Sequence, residues 1–494
     1  MLVRAAERAA SLGATAEAQR AFERAIELTD DAPVKAELHE RAGMMARTGA
    51  RADEAAAHFE RAIEGFEAAG EVHPAARVSA KLAEILWQDR GRIEQGLENM
   101  EQAFAVLSEH EPDEVLASLA AQLGRFLFFA GQSDLALQRI ERALELAEAL
   151  GLPEIFAEAL NTKAIILTGR ERKLEAQALL AHALQVALDN DKPSAALRAY
   201  YNLADTLCHV DRYEEAAEAV REGLALARRI GARWWEWQFL GQLYPAFALG
   251  AWDEVQTMLD DLPAEHWAEM RTAWPGILTF GAAVNAFRGR PHDAETLLRR
   301  CAGMDTSADM QERASYHLGR ATILLISEDP ANALEAAEAA FEQRGAMGIT
   351  QEYAKQSFVT AVEAALALGE IDKAEELLAV VEALPRGSSS QFLQAQASRF
   401  RALLSARRGE TEEAERRFKR ATGLFRELAL VFYLGIGLLE YGEWLVGQNR
   451  SGDAEPLLAE ARATFERLEA KPWLERAGRA ASGSGERQVV TGSS

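Results

Sequence analysis

A chain of 494 residues exceeds one ordinary hydrophobic core unless it is built by repetition. Its net charge of −23 repels a phosphate backbone and argues against direct nucleic-acid binding. Its two cysteines, Cys208 and Cys301, supply neither a disulfide framework nor a metal-ligand spacing and fit a reducing cytoplasm.

The opening "MLVRAAERAASLG" lacks the apolar centre of a signal peptide and reads as the end of a first helix. The next stretch, "GATAEAQRAFERAIEL", sets a rule that the chain then repeats. A turn residue is followed five positions on by a small residue, four later by a large one and three later by a small one: Ala18, Phe22, Ala25. Offsets of four and three place all three on one helical stripe. The first member of each triplet recurs at Ala18, Ala55, Gly96, Ala136, Ala176, Ala216, Val255, Ala294, Ala333, Ala374, Ala414 and Ala454, with steps of 37 to 41 residues. A period held over the whole chain predicts a solenoid of about twelve helix pairs. Twelve residues before most anchors stands another small residue, such as Gly43, Gly124 or Gly442, suited to close crossing within a pair. Gly91, Gly131, Gly169, Gly250, Gly289, Gly369 and Gly409 mark the turn inside each pair; Pro74, Pro112, Pro153 and Pro193 open first helices. Scarce proline and little alternation of Val, Ile and Thr leave no case for a sheet.

Further along, residues 231–275 break the rule. Six of the nine tryptophans lie there, Val255, Leu259 and Leu262 replace the triplet, and Pro245 should interrupt a helix. Later, "LALVFYLGIGLLEYGEWLV" is the most apolar run, but Glu440 stops it short of the roughly 20 residues of a membrane span, so it predicts a buried repeat helix. Residues 1–480 are therefore read as one solenoid and 481–494 as a disordered tail. "KPWLERA" should cover the last apolar face, and each unit should touch only its neighbours, leaving a long concave surface free.

These offsets resemble the tetratricopeptide repeat, in an elongated form near 40 residues, which implies an all-α, right-handed TPR-like α-solenoid. The elongated units, and the closing "ARATFERLEAKPWLERAGRA", are similar to the C-terminal sensor arrays of ATP-binding LuxR-type regulators and multidomain class III adenylate/guanylate cyclases of bacteria. The resemblance implies a non-catalytic scaffold or sensor array in bacterial signal transduction or transcription regulation, with a protein or peptide partner in the groove. Its alternative is a region that binds a small-molecule effector, within or detached from an ATPase or cyclase. No phosphate-loop motif G-x-x-x-x-G-K-[ST] occurs in the chain, which is expected to be such a detached array or a fragment of a longer protein.

Candidate binding residues fall in two groups. Trp234, Trp235, Trp237 and Tyr244 would form an aromatic pocket in the irregular unit, with Trp234 and Trp237 turned inward and Trp235 partly exposed. Arg198, Tyr200 and Asn202 would face the groove, the Asn amide both donating to and accepting from a peptide backbone. The histidines are scattered without metal spacing, and no Ser or Cys sits in a nucleophile motif; no enzyme, metal or cofactor is expected.

Overall fold

The computed structural model describes residues 1–11, 14–49, 51–88, 93–385 and 387–490. It is an all-α array of consecutive helix pairs, and no strand occurs among the described residues. By contact density the chain divides into two units: Met1–Ile166 with Ala178–Ala195, and Leu167–Gln177 with Ala196–Ser494.

The repeat code is the packing contact itself. A Cβ on Gly43 would stand 2.6 Å from the Phe59 ring and 3.3 Å from the Ala55 carbonyl. So the small residue of helix Ala32–Thr48 lies directly over the anchor and the large residue of helix Ala52–Ala68. Gly124 meets Ile140, and Gly442 meets Leu458, each at 2.6 Å in the same way. All twelve anchors are buried.

The turn inside each pair also follows one rule. The residue five before the anchor is left-handed at Gly131, Glu171, Asp211, Gly250, Gly289, Glu328, Gly369, Gly409 and Asn449. Gly169 was the expected turn residue of its pair; it ends helix Pro153–Gly169, and Glu171 takes the positive φ instead. Gly13 and Gly91 lie outside the described residues. Pro153 and Pro193 are the first residues of their helices, where a missing N–H breaks no bond. Pro74 sits third in Val72–Gln88, and Pro112 precedes the N-cap Asp113, whose carboxylate accepts from the Leu116 N–H at 3.0 Å.

In the first unit, polar bonds between helices run about one period. Arg77 and Lys81 reach Glu40, Arg41 reaches Glu7, and Arg139 reaches Glu101. The second unit departs from the nearest-neighbour picture. There the inner faces of its first helices meet one another, and the open concave surface expected from the repeat is replaced by a packed interior. Phe432 touches both Trp252 and Phe287, with ring centroids 5.0 Å apart in each case. The Arg288 guanidinium donates to the Leu468 carbonyl at 3.2 Å, joining residues 180 positions apart. Aromatic rings contribute to this closure: each buries a large apolar surface, and their ring-to-ring contacts join helices far apart in sequence.

The irregular segment does break where Pro245 predicts. Helix Arg233–Gly241 ends, and a short helix, Tyr244–Ala248, begins with Pro245 at its second position. A 3₁₀ stretch, Ala264–Ala273, and a π-helical turn, Ile277–Gly281, follow. The chain crosses itself at Gly241 and Gly276, where a Cβ on Gly276 would collide with the Gly241 carbonyl.

Leu428–Val446 becomes the buried helix Val431–Gly447, and no described helix is long and apolar enough to cross a membrane. The last helix spans Lys471–Val490 and runs ten residues into the segment expected to be disordered; residues 491–494 lie outside the described residues. Within it, Trp473 packs edge-on against Phe287 and Phe432.

Candidate functional site

Two features occupy the interior of the second unit: a buried polar chain and a cavity. Lys355, on helix Glu352–Leu368, is 0% exposed and uses all three of its donors. They go to the Cys208 carbonyl at 2.8 Å, Asp211 Oδ1 at 2.9 Å and the Tyr213 hydroxyl at 3.1 Å. The Tyr213 hydroxyl donates to Asp211 Oδ1 at 2.8 Å, and the Phe392 N–H donates to Asp211 Oδ2 at 2.9 Å. Asp211 is itself one of the left-handed turn residues, with φ of 62°. Asp tolerates that conformation better than most residues, and the turn aims its carboxylate inward. From Tyr213 the chain passes to the Tyr244 hydroxyl at 3.2 Å, to Gln356 and to Tyr433. Burial opposes the charge on Lys355, but the adjacent Asp211 carboxylate outweighs it and raises the ammonium pKa.

Beside this chain lies a second titratable group. His209 Nδ1 meets the Thr350 hydroxyl at 3.0 Å, and Lys173 donates to that hydroxyl at 2.8 Å. Burial, and then the charges of Lys355 and Lys173, lower the His209 pKa to about 3, so the imidazole is neutral. Burial raises Asp205 to about 6 and, with Asp205 nearby, Glu352 to about 8. Burial also pushes the Cys208 thiol well up, which holds it protonated and poorly nucleophilic.

The cavity, of about 360 Å³, is walled by the inner faces of six successive first-helix segments and the start of the last helix. One wall is aromatic: Phe247, Phe280, Phe287, Phe432 and Trp473 form a continuous set of ring contacts, from Phe247–Phe280 at 5.2 Å to Phe432–Trp473 at 4.8 Å. The other carries charge. Arg399 is buried and donates to both Glu440 oxygens at 2.7 Å and to Glu363 at 2.7 Å. Arg476 forms a bidentate pair with Glu443, at 2.9 and 2.5 Å. Size and character fall within the range of small-molecule sites, which are mostly apolar with a few placed polar groups.

The residues singled out from sequence do not assemble into one site. Trp237 is 7% exposed, packed with Met270, Ala273 and Ile277, as expected. Trp235 is partly exposed, also as expected, and contacts Tyr201 and Phe239. Trp234 corrects the reading: expected to turn inward, it is 50% exposed, with its ring edge-on to Trp235 at 4.8 Å. The helix is nine residues long, and every residue from Trp237 to Gly241 is buried; Trp234 lies in the first turn, before that buried segment begins. The space opened by the broken triplet is filled by indoles. Trp252 is buried and donates to the Phe247 carbonyl at 3.2 Å; Trp267 stacks on Trp274 at 5.6 Å beneath the Arg300 guanidinium.

Tyr244 belongs to the polar chain rather than to a tryptophan pocket. Arg198 and Tyr200 are buried, and Asn202 is partly exposed. Burial, with a hydrogen bond to Glu222, pushes the Tyr200 hydroxyl up to about 12. Lys355, Asp211 and the Glu363–Arg399–Glu440 group were not singled out. The available signal was a charge set among apolar residues of a first helix: Glu440 in "VFYLGIGLLEYGEWLV" and Lys355 in "EYAKQSFVTAVEAALAL".

No protein-family model and no curated protein matches the sequence. Among solved structures, the chain is similar in fold to the APC/C hetero-tetramer Cut9–Hcn1, at 13% identity and a TM-score of 0.45, over 96% of this chain and 95% of that one. It is similar to human IFIT1, at 14% identity and a TM-score of 0.43, over 82% and 90% of the two chains. It is also similar to the quorum sensor NprR of B. thuringiensis, at 11% identity and a TM-score of 0.38, over 77% and 99%.

Proposed function

We infer that this chain is a non-catalytic, tetratricopeptide-like sensor array whose second unit takes up an effector inside its packed interior. The observation that supports this is the cavity of about 360 Å³. A solenoid used only as a scaffold needs no such space, and leaving it between the helices forfeits packing contacts that a closed interior would make. The array acts in bacterial signal transduction or transcription regulation, in the cytoplasm, and passes its occupancy to a partner protein or to an ATPase or cyclase module in cis or in trans. A thermal-shift screen of metabolites and short peptides tests it. A ligand present at 100 times its Kd adds about 2.7 kcal/mol to stability. That gain should vanish when Ala283, which lines the cavity, is enlarged to Phe. Stabilisation that survives Ala283→Phe, or no stabilising ligand at all, argues against the reading.

A second reading, an interaction scaffold for a protein or peptide, is favoured by the exposed Trp234 beside Trp235. Paired aromatics of this kind are typical anchors of interfaces. Loss of a partner in pull-down with Trp234→Ala, with effector binding unchanged, would support it.

A further inference from the structure

Charge matching around the cavity identifies what kind of molecule it admits. Glu440 and Glu363 already accept from Arg399, and Arg476 is held by Glu443. Among the described residues that line the cavity, Arg407 is the one charged group with no ion pair. It ends helix Gln391–Arg407, is exposed, and donates one N–H to the Leu366 carbonyl at 3.2 Å. That bond fixes the guanidinium at the end of helix Glu352–Leu368, where the partial negative charge of the helix end meets it but no carboxylate pairs with it. Being both exposed and part of the lining, Arg407 stands where the cavity meets solvent.

Resting on the effector reading, we propose that the cavity binds an amphipathic anion: an apolar or aromatic body against the Phe280–Phe287–Phe432–Trp473 wall and one carboxylate or phosphate head on Arg407. The Arg fork matches either head geometrically. The matched charges deeper in the cavity play the opposite part. Arg399 is closed on both sides by carboxylates, so an anionic head placed there would meet the Glu440 and Glu363 oxygens. The head therefore stays at the mouth and the apolar body points inward. This orientation also takes an anion into a chain of net charge −23 by way of a local cationic entrance.

The test uses the full chain and four probes that share one body: phenylhexanoate, phenylhexyl phosphate, phenylhexanol and phenylhexylamine. Binding is read by calorimetry at low and moderate salt. At least one of the two anions should bind tenfold or more tighter than the alcohol, and the amine more weakly than the alcohol; the tighter anion names the head group. Arg407→Gln should remove at least tenfold of the anion affinity and leave the alcohol unchanged. Arg407→Glu should reverse the order in favour of the amine. Equal affinity of anions and alcohol, preference for the amine, or an anion affinity untouched by Arg407→Gln would overturn the anion assignment and leave the cavity as an effector site. Failure of all four probes, with wild type and Ala283→Phe behaving alike, would overturn the effector reading together with it.

Discussion

The two units follow one repeat code and reach different ends. In the first, ion pairs between adjacent first helices, such as Arg77 and Lys81 on Glu40, span a single period and hold neighbours in register. In the second, bonds from Lys355 to Asp211, from the Phe392 N–H to Asp211 and from Arg288 to Leu468 span 144, 181 and 180 residues. Apart from the broken triplet at Val255, Leu259 and Leu262, the triplets follow one pattern in both, so the main difference lies on the inner faces. Charged residues such as Glu40, Arg77 and Lys81 stand there in the first unit; in the second, charges such as Lys355 and Arg399 are joined on the inner faces by Phe280, Phe287, Phe392 and Phe432, and all but the half-buried Phe287 are buried. The code fixes how a helix pair closes. The inner-face chemistry decides whether the pairs stay a chain of neighbours or gather around an interior.

The sharpest way to break this contrast is Lys355→Met. It leaves Asp211 charged and buried, which should cost about 3–5 kcal/mol. The added change Asp211→Asn should recover part of that loss, because Asn tolerates the left-handed turn and carries no charge. Urea unfolding followed through peptides of each unit measures both. A loss under about 1 kcal/mol would mean that the long-range pair does not hold the second unit together.

A smaller effect comes from pH. A carboxyl raised by folding contributes stability at low pH that is lost as pH rises towards its folded pKa. Glu352, raised to about 8, therefore weakens the second unit from the ordinary glutamate range up to about 8. Asp205 acts in the same direction but is finished by about 6. His209 acts oppositely, because its pKa is lowered; its contribution is lost as pH falls from about 6.5 towards 3. Between about 6.5 and 8 Glu352 alone remains of the three, with a slope of up to about 1.4 kcal/mol per pH unit. Glu352→Gln should flatten the melting temperature over that window; an unchanged slope would assign it to other groups.

The smallest effect should come from Trp234→Ala. Half-exposed, this residue should cost within about 0.5 kcal/mol, whereas Trp252→Ala, at a ring buried beneath Phe247 and Phe432, should cost about 3–5 kcal/mol. Chemical denaturation of both variants checks the pair, and comparable losses would contradict the burial pattern.

These contrasts also show what was legible in the sequence. The triplets were legible because each enforces a contact within one pair: Gly43 on Phe59, Gly124 on Ile140, Gly442 on Leu458. The break at Pro245 was legible because its ring excludes a helical neighbour. Trp234 was misplaced because a three-residue spacing reports the face of a helix and not how far along it burial begins: Trp234 stands in the first turn, and the buried segment starts at Trp237. The cavity and the Lys355 chain were not legible at all. They depend on residues 77 to 181 positions apart meeting, and a periodic code carries no information beyond its own period. Only charges set among apolar residues, Lys355 and Glu440, hinted at an interior.

The central claim is that the first unit is held pair by pair and the second by a common interior. Hydrogen exchange of the intact chain through a urea series tests it most directly. Helices Glu352–Leu368, Gln391–Arg407 and Val431–Gly447 should lose protection together at one urea concentration. Helices Ala32–Thr48, Val72–Gln88 and Glu114–Phe129 should lose it in separate steps. Stepwise opening of the second set, pair after pair like the first, would contradict the account.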